Sequence, residues 1–146
     1  MNTNNKKNIV IKIGTTSIIK NDKVDLTLLK SLAELIIENK NQFNFVIVTS
    51  GAVGLGATKL NYKSRPKSLN RLQVASAVGQ IELINQYEKI FKDNKMNIAQ
   101  VLITKNLIDD REQFVNTTQA LNELLSQGII PVINENDVVA LSLIHI

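Results

Sequence analysis

Four short apolar runs constrain the fold most: NIVIKI at 8–13, NFVIV at 44–48, NIAQVLIT at 97–104 and IIPVI at 129–133. Each is rich in β-branched residues and short, so each reads as a buried strand. The segments between them carry helical spacing instead. Leu26, Leu29, Leu32, Ala33 and Ile36 share one face, with Asp25 placed to cap the helix start. A short helix over 52–60 opens directly after the second run. Leu72, Ala75, Gly79, Leu83, Tyr87 and Phe91 trace one long face. Asp110 with Gln113 resembles a helix-opening cap, Phe114, Thr118, Leu121 and Leu125 continue that helix, and Gly128 ends it.

The order is therefore β-α-β-α-α-β-α-β. Strands separated by helices imply right-handed crossovers, hence an α/β fold: a three-layer α/β/α sandwich around a mostly parallel sheet. Runs that are apolar throughout suit strands covered on both faces. A chain of 146 residues is large enough to bury one core without staples. Only the Asn-rich start, residues 1–7, reads as disordered.

Composition removes several function classes. Without cysteine there are no disulfides and no thiolate chemistry. The single histidine, His145, is next to last, so neither a histidine-rich metal site nor a Ser-His-Asp triad is built around it. Tryptophan is missing and other aromatics are few, which argues against base-stacking surfaces and hence against a nucleic-acid partner. The net charge of +4 comes from scattered lysines and reads as compositional habit. The start MNTNNKKN has no apolar core of a signal peptide, and no run is long enough to span a bilayer. A cytoplasmic protein with no membrane partner is the default expectation.

In open α/β sheets, ligands bind beyond the carboxyl ends of the strands. Three such ends are unusual here. The first reads Lys12-Ile13-Gly14-Thr15-Thr16-Ser17. A lysine inside a buried strand needs an anion to offset its desolvation, so a phosphate grip is one reading. An edge lysine that reaches water is the other, and the two stand level. The second reads Thr49-Ser50-Gly51-Ala52-Val53-Gly54. Backbone amides at a glycine turn opening a helix can hold an anion, although a simple turn explains the glycine too. Gly51, Gly56 and Thr58 have P-loop spacing, but Ala57 stands at the lysine position. Lys59 comes two residues late, and Gly56 and Thr58 read as ordinary helix residues. The third end is Asn134-Glu135-Asn136-Asp137, either an ordinary polar loop or a site for an ammonium group, a metal or a hydroxyl. Gln80 and Gln113 read as surface residues.

Taken together, IVIKIGTTS, VIVTSGAVGLG, ASAVGQ, AQVLITKNLIDDREQFVNTTQALNELL and IIPVINENDVVA closely resemble the glutamate 5-kinase family, of the amino-acid-kinase fold. The resemblance spans about residues 8–140. It implies transfer of the ATP γ-phosphate to the side-chain carboxylate of L-glutamate, the first step of proline biosynthesis, with Mg²⁺ as the metal. Position by position, it implies that Lys12 contacts ATP phosphates and stabilises the transferring group, with Gly14 and Thr15 in the adjoining phosphate loop. Ser50, Gly51 and Ala52 match the glutamate-binding loop. Asn134 and Asp137 match residues that hold the substrate, Asp137 pairing with its ammonium group. No metal-ligating residue is assigned. Proline as feedback inhibitor and a homo-oligomeric full-length protein are further implications.

After NDVVA, the family pattern continues with an acidic stretch and the half that carries most nucleotide contacts. Here the residues are Leu141-Ser142-Leu143-Ile144-His145-Ile146. Residues 8–140 are thus expected to be the N-terminal, glutamate-binding part of such a domain, with 141–146 departing from it. Two alternatives accompany this reading: a non-catalytic fragment that binds glutamate or proline, and the kinase portion of a bifunctional pyrroline-5-carboxylate synthase.

Overall fold

The computed structural model describes residues 6–139. The end of the expected domain at Ala140, the departing tail 141–146 and His145 lie outside the described residues, as do residues 1–5 of the expected disordered start. Lys7, placed in that start, opens the first strand and pairs with Phe43.

The apolar runs become strands β1 (Lys7–Lys12), β4 (Phe43–Val48), β5 (Ile98–Ile103) and β6 (Ile130–Glu135). They form one parallel sheet in the order β1-β4-β6-β5. Helix α2 (Leu26–Asn39) links β1 to β4, and Asp25 caps it by accepting from the Thr27 and Leu28 amides. Helices α3 (Ala52–Lys59) and α4 (Leu69–Asp93) link β4 to β5, and α5 (Arg111–Ser126) links β5 to β6. The last connection crosses the sheet in the opposite direction, so the same right-handed rule places α5 on the opposite face.

One face is densely packed. Phe45 and Ile47 of β4 and Ile130 and Val132 of β6 cluster there with Leu29, Ala33 and Ile36 of α2 and Leu83, Tyr87 and Phe91 of α4. The other face carries Val46 and Ile133 under α5, a helix none of whose residues is buried. The expectation of strands covered on both faces thus holds only for the two central strands. β1 and β5 are edges, and Val10 of β1 is 63% exposed.

Two features depart from the expected element list. The residues after β1 form a one-turn helix α1 (Thr15–Ile18) and a hairpin of β2 (Ile19–Lys20) and β3 (Lys23–Val24). Its turn residues Asn21 and Asp22 have φ of 52° and 60°, the left-handed pair of a type I′ turn. Two-residue strands carry no periodicity, so the pattern gave no sign of them. Gly56 is also no ordinary helix residue. A Cβ there would lie 1.7 Å from the Ala75 carbonyl oxygen, and a Cβ on Gly79 would lie 1.7 Å from that of Ala52. Helices α3 and α4 therefore cross backbone against backbone, which only these glycines allow.

Candidate functional site

Strand register brings the three expected ends level. Lys12 pairs with Val48, and Val48 with Ile133. Two backbone bonds continue the ladder past the strands: the Ile13 amide donates to Val48 O at 2.8 Å, and the Thr49 amide to Ile133 O at 2.8 Å. The segments carrying chemistry thus leave the sheet side by side.

The first two ends are tied by Ser50. Its hydroxyl donates to the Ile13 carbonyl at 3.2 Å and accepts from Thr15 Oγ1 at 3.1 Å. Gly51 follows with φ of 106°, in the left-handed region that favours glycine, and opens α3. No side chain caps α3, so its first-turn amides face the same edge as the strand ends. Gly14 opens α1 with an ordinary φ of −78°, and a Cβ there would meet nothing.

The third end is part strand. β6 runs to Glu135, so Asn134 is buried within it rather than lying in a loop. A buried amide needs partners, and α4 provides one: Asn134 Nδ2 donates to Gln80 Oε1 at 2.9 Å. Gln80 is thus not simply a surface residue. Gln113 does sit at an exposed helix start, where its side chain donates back to Asp110. One turn before Gln80, Ser76 Oγ donates to Asp137 Oδ2 at 2.9 Å, and Gln73 Nε2 donates to the Val138 carbonyl at 2.9 Å. Farther along α4, the buried Tyr87 hydroxyl donates to Thr49 Oγ1 at 2.9 Å, and Thr49 Oγ1 donates in turn to Ser50 O. Burial pushes the Tyr87 phenol up to about 12. Four residues of one helix therefore hold two of the three ends.

A cavity of about 420 Å³ opens between these ends. Of the expected site residues, Lys12, Thr15, Ser50, Gly51, Ala52, Asn134 and Asp137 line it. Gly14 does not. Lys12 is exposed at the end of an edge strand, so its charge is not desolvated as a buried strand would require. Arg65, Lys105 and Glu135 also line the cavity and were not singled out from the sequence. Arg65 sits in the α3–α4 loop and Lys105 just after β5, where no periodic pattern points inward. Glu135 was seen only as part of a polar run.

The cavity is amphoteric, with Lys12, Arg65 and Lys105 against Glu135 and Asp137. Burial raises the Asp137 carboxyl above the ordinary carboxylate range; the Ser76 hydrogen bond opposes this, the Glu135 charge adds to it, and the Arg65 charge opposes it. Such a site suits a ligand with both an ammonium and anionic groups. Among the described residues, no helix is long and apolar enough to cross a membrane.

Comparison with known proteins agrees with this architecture. The glutamate 5-kinase of Prochlorococcus marinus is 44% identical over 139 residues, covering 92% of this chain and 38% of that protein. The glutamate 5-kinase of Lactococcus lactis is 39% identical over 136 residues, covering 92% of this chain and 50% of that protein. The chain thus spans half or less of these relatives' length. Isopentenyl phosphate kinase superposes with a TM-score of 0.56 at 16% identity, over 87% of this chain and 56% of that one, a likeness of fold alone. The family model described as the amino acid kinase family matches residues 7–143, and the chain belongs to that family.

Proposed function

We propose that this chain forms the amino-acid acceptor site of a kinase that transfers the terminal phosphoryl group of ATP to the side-chain carboxylate of L-glutamate. The observation that carries this reading is the amphoteric cavity, where Asp137 and Lys12 line one space at the carboxyl ends of a parallel sheet. The names of the relatives support the choice of acceptor.

In this reading Asp137 pairs with the substrate ammonium, and Asn134, fixed by Gln80, orients the amino-acid end. Ser50, Gly51 and the Ala52 amide hold the chain of the substrate. The acceptor carboxylate, with a pKa of about 4.3 when free, is already ionised near neutral pH and needs no general base. Catalysis then rests on positioning and on positive charge beside the transferring oxygens, supplied by Lys12 with Thr15 and Gly14 adjoining. Among the described residues, no group of three or more His, Cys, Asp or Glu could hold a metal ion. Mg²⁺ bound mainly through nucleotide phosphates needs only one or two carboxylates, and Glu135 and Asp137 are those on the cavity. When bound, Mg²⁺ would neutralise phosphate charge. Inhibition by proline, self-association and a place in the cytoplasm belong to the same reading.

The test is glutamate titration calorimetry on the 146-residue chain, followed by ATP-dependent hydroxamate formation. Binding with turnover supports the kinase reading for the chain itself. Binding without turnover favours the non-catalytic alternative, which the limited span of the relatives' length recommends. The pH dependence adds a sign. With the Asp137 pKa raised, glutamate affinity is lost as pH falls through that raised value, and binding at mildly acidic pH releases a proton because the ammonium pulls the pKa back down. Calorimetry in buffers of different ionisation enthalpy measures that proton; proton uptake would remove Asp137 from the ammonium site.

A further inference from the structure

Glutamate carries an α-carboxylate as well as the ammonium and the reacting carboxylate. The ammonium and the α-carboxylate share one carbon, so whatever pairs with the α-carboxylate must stand close to Asp137. Three cations line the cavity, Lys12, Arg65 and Lys105. Lys12 ends β1, two strands away from β6, which is roughly 10 Å at the usual strand spacing. Lys105 follows β5, whose connection leads to the far face of the sheet. Arg65 instead comes from the loop between α3 and α4, and α4 is the helix whose Ser76 holds Asp137.

We propose that Arg65 receives the α-carboxylate of the amino-acid substrate and so sets specificity for an α-amino acid over a simple amine-carboxylate. This rests on the acceptor-site reading above. The Arg65 charge already acts on Asp137. Among the described residues Arg65 makes no hydrogen bond or ion pair that would commit its guanidinium elsewhere. Its planar fork matches a carboxylate with two parallel bonds, which a lysine cannot do. The loop is also held in place. Pro66 next to it is buried, and Arg71 stacks over the Tyr62 ring at 5.6 Å, so the base of the loop is fixed while the Arg65 side chain is exposed to the cavity.

The experiment compares glutamate with 4-aminobutyrate, which keeps the amine and the far carboxylate and lacks the α-carboxylate. Binding of both to the 146-residue chain is measured for wild type, Arg65→Ala and Arg65→Lys. Arg65→Ala is expected to weaken glutamate about tenfold, the worth of one charge-assisted hydrogen bond, and to leave 4-aminobutyrate unchanged. Arg65→Lys is expected to recover part of the loss. Equal weakening of both ligands, or an unchanged glutamate affinity in Arg65→Ala, overturns the assignment. A wild-type chain that binds neither ligand overturns the acceptor site itself, a failure distinct from a wrong role for Arg65.

Discussion

The two faces of the sheet are built to different standards. On one, α2, α3 and α4 bury Leu29, Ile36, Leu83, Tyr87 and Phe91, and two helices touch through their backbones at Gly56 and Gly79. On the other, α5 lies across β6 with Phe114 49% exposed and no buried residue of its own. Apolar area removed from water is the main favourable term in folding, so stability is concentrated in the first face. That face also holds the site: Tyr87, Gln80, Ser76 and Gln73 reach from α4 to the ends of β4 and β6. The face that stabilises the fold and the framework that shapes the cavity are one layer.

Substitutions can break this contrast, the largest first. Phe91 is fully buried, and Phe91→Ala is expected to cost roughly 3–5 kcal/mol in chemical denaturation. A cost below about 1 kcal/mol would show that the packed face is not where stability lies. Gly79→Ala is the smallest possible test of the helix crossing. Helix propensity alone would favour alanine by about 1 kcal/mol. The 1.7 Å approach to Ala52 O predicts the opposite sign, a loss of about 3 kcal/mol through forced separation of the helices. A stabilised variant would refute the close crossing.

Tyr87→Phe sharpens the link between packing and site. Removing the phenol leaves Thr49 Oγ1 without its donor, at a cost of about 1 kcal/mol. The wild-type phenol titrates near 12 when folded against 10.0 ordinarily, so the unfolded chain releases its proton first. Wild-type stability should therefore fall as pH rises above about 10, and the phenylalanine variant should lack that part of the slope. On the thin face, Phe114→Ser is expected to change stability by less than about 0.5 kcal/mol. A loss comparable to that of Phe91→Ala would erase the distinction between the faces.

Much of this was legible in the sequence, for physical reasons. The parallel sheet followed from β-branched runs separated by helical spacing, and the helix starts from Asp25 and Asp110, both of which cap as expected. Seven of the eight expected site residues line one cavity because parallel strands present their carboxyl ends together. What escaped has no local signature. Gly56 and Gly79 matter because of what lies across from them, and a glycine in a helix looks the same whether or not another backbone touches it. Gln80 read as a surface residue because its partner, Asn134, is 54 residues away. Arg65 lies in a charged loop, and only the return of that loop to the cavity gives it a possible partner.

The side-by-side departure of Lys12, Val48 and Ile133 has a consequence for redesign. Because Ser50 bonds to both Ile13 and Thr15 while Thr49 is gripped by Tyr87, the first two ends form a single mechanical unit. Altering one of them to admit a longer or shorter acceptor would drag the other with it. The α3–α4 loop has no such tether to its neighbours beyond Pro66 and Tyr62, which makes it the segment where acceptor preference can drift without disturbing the phosphate side.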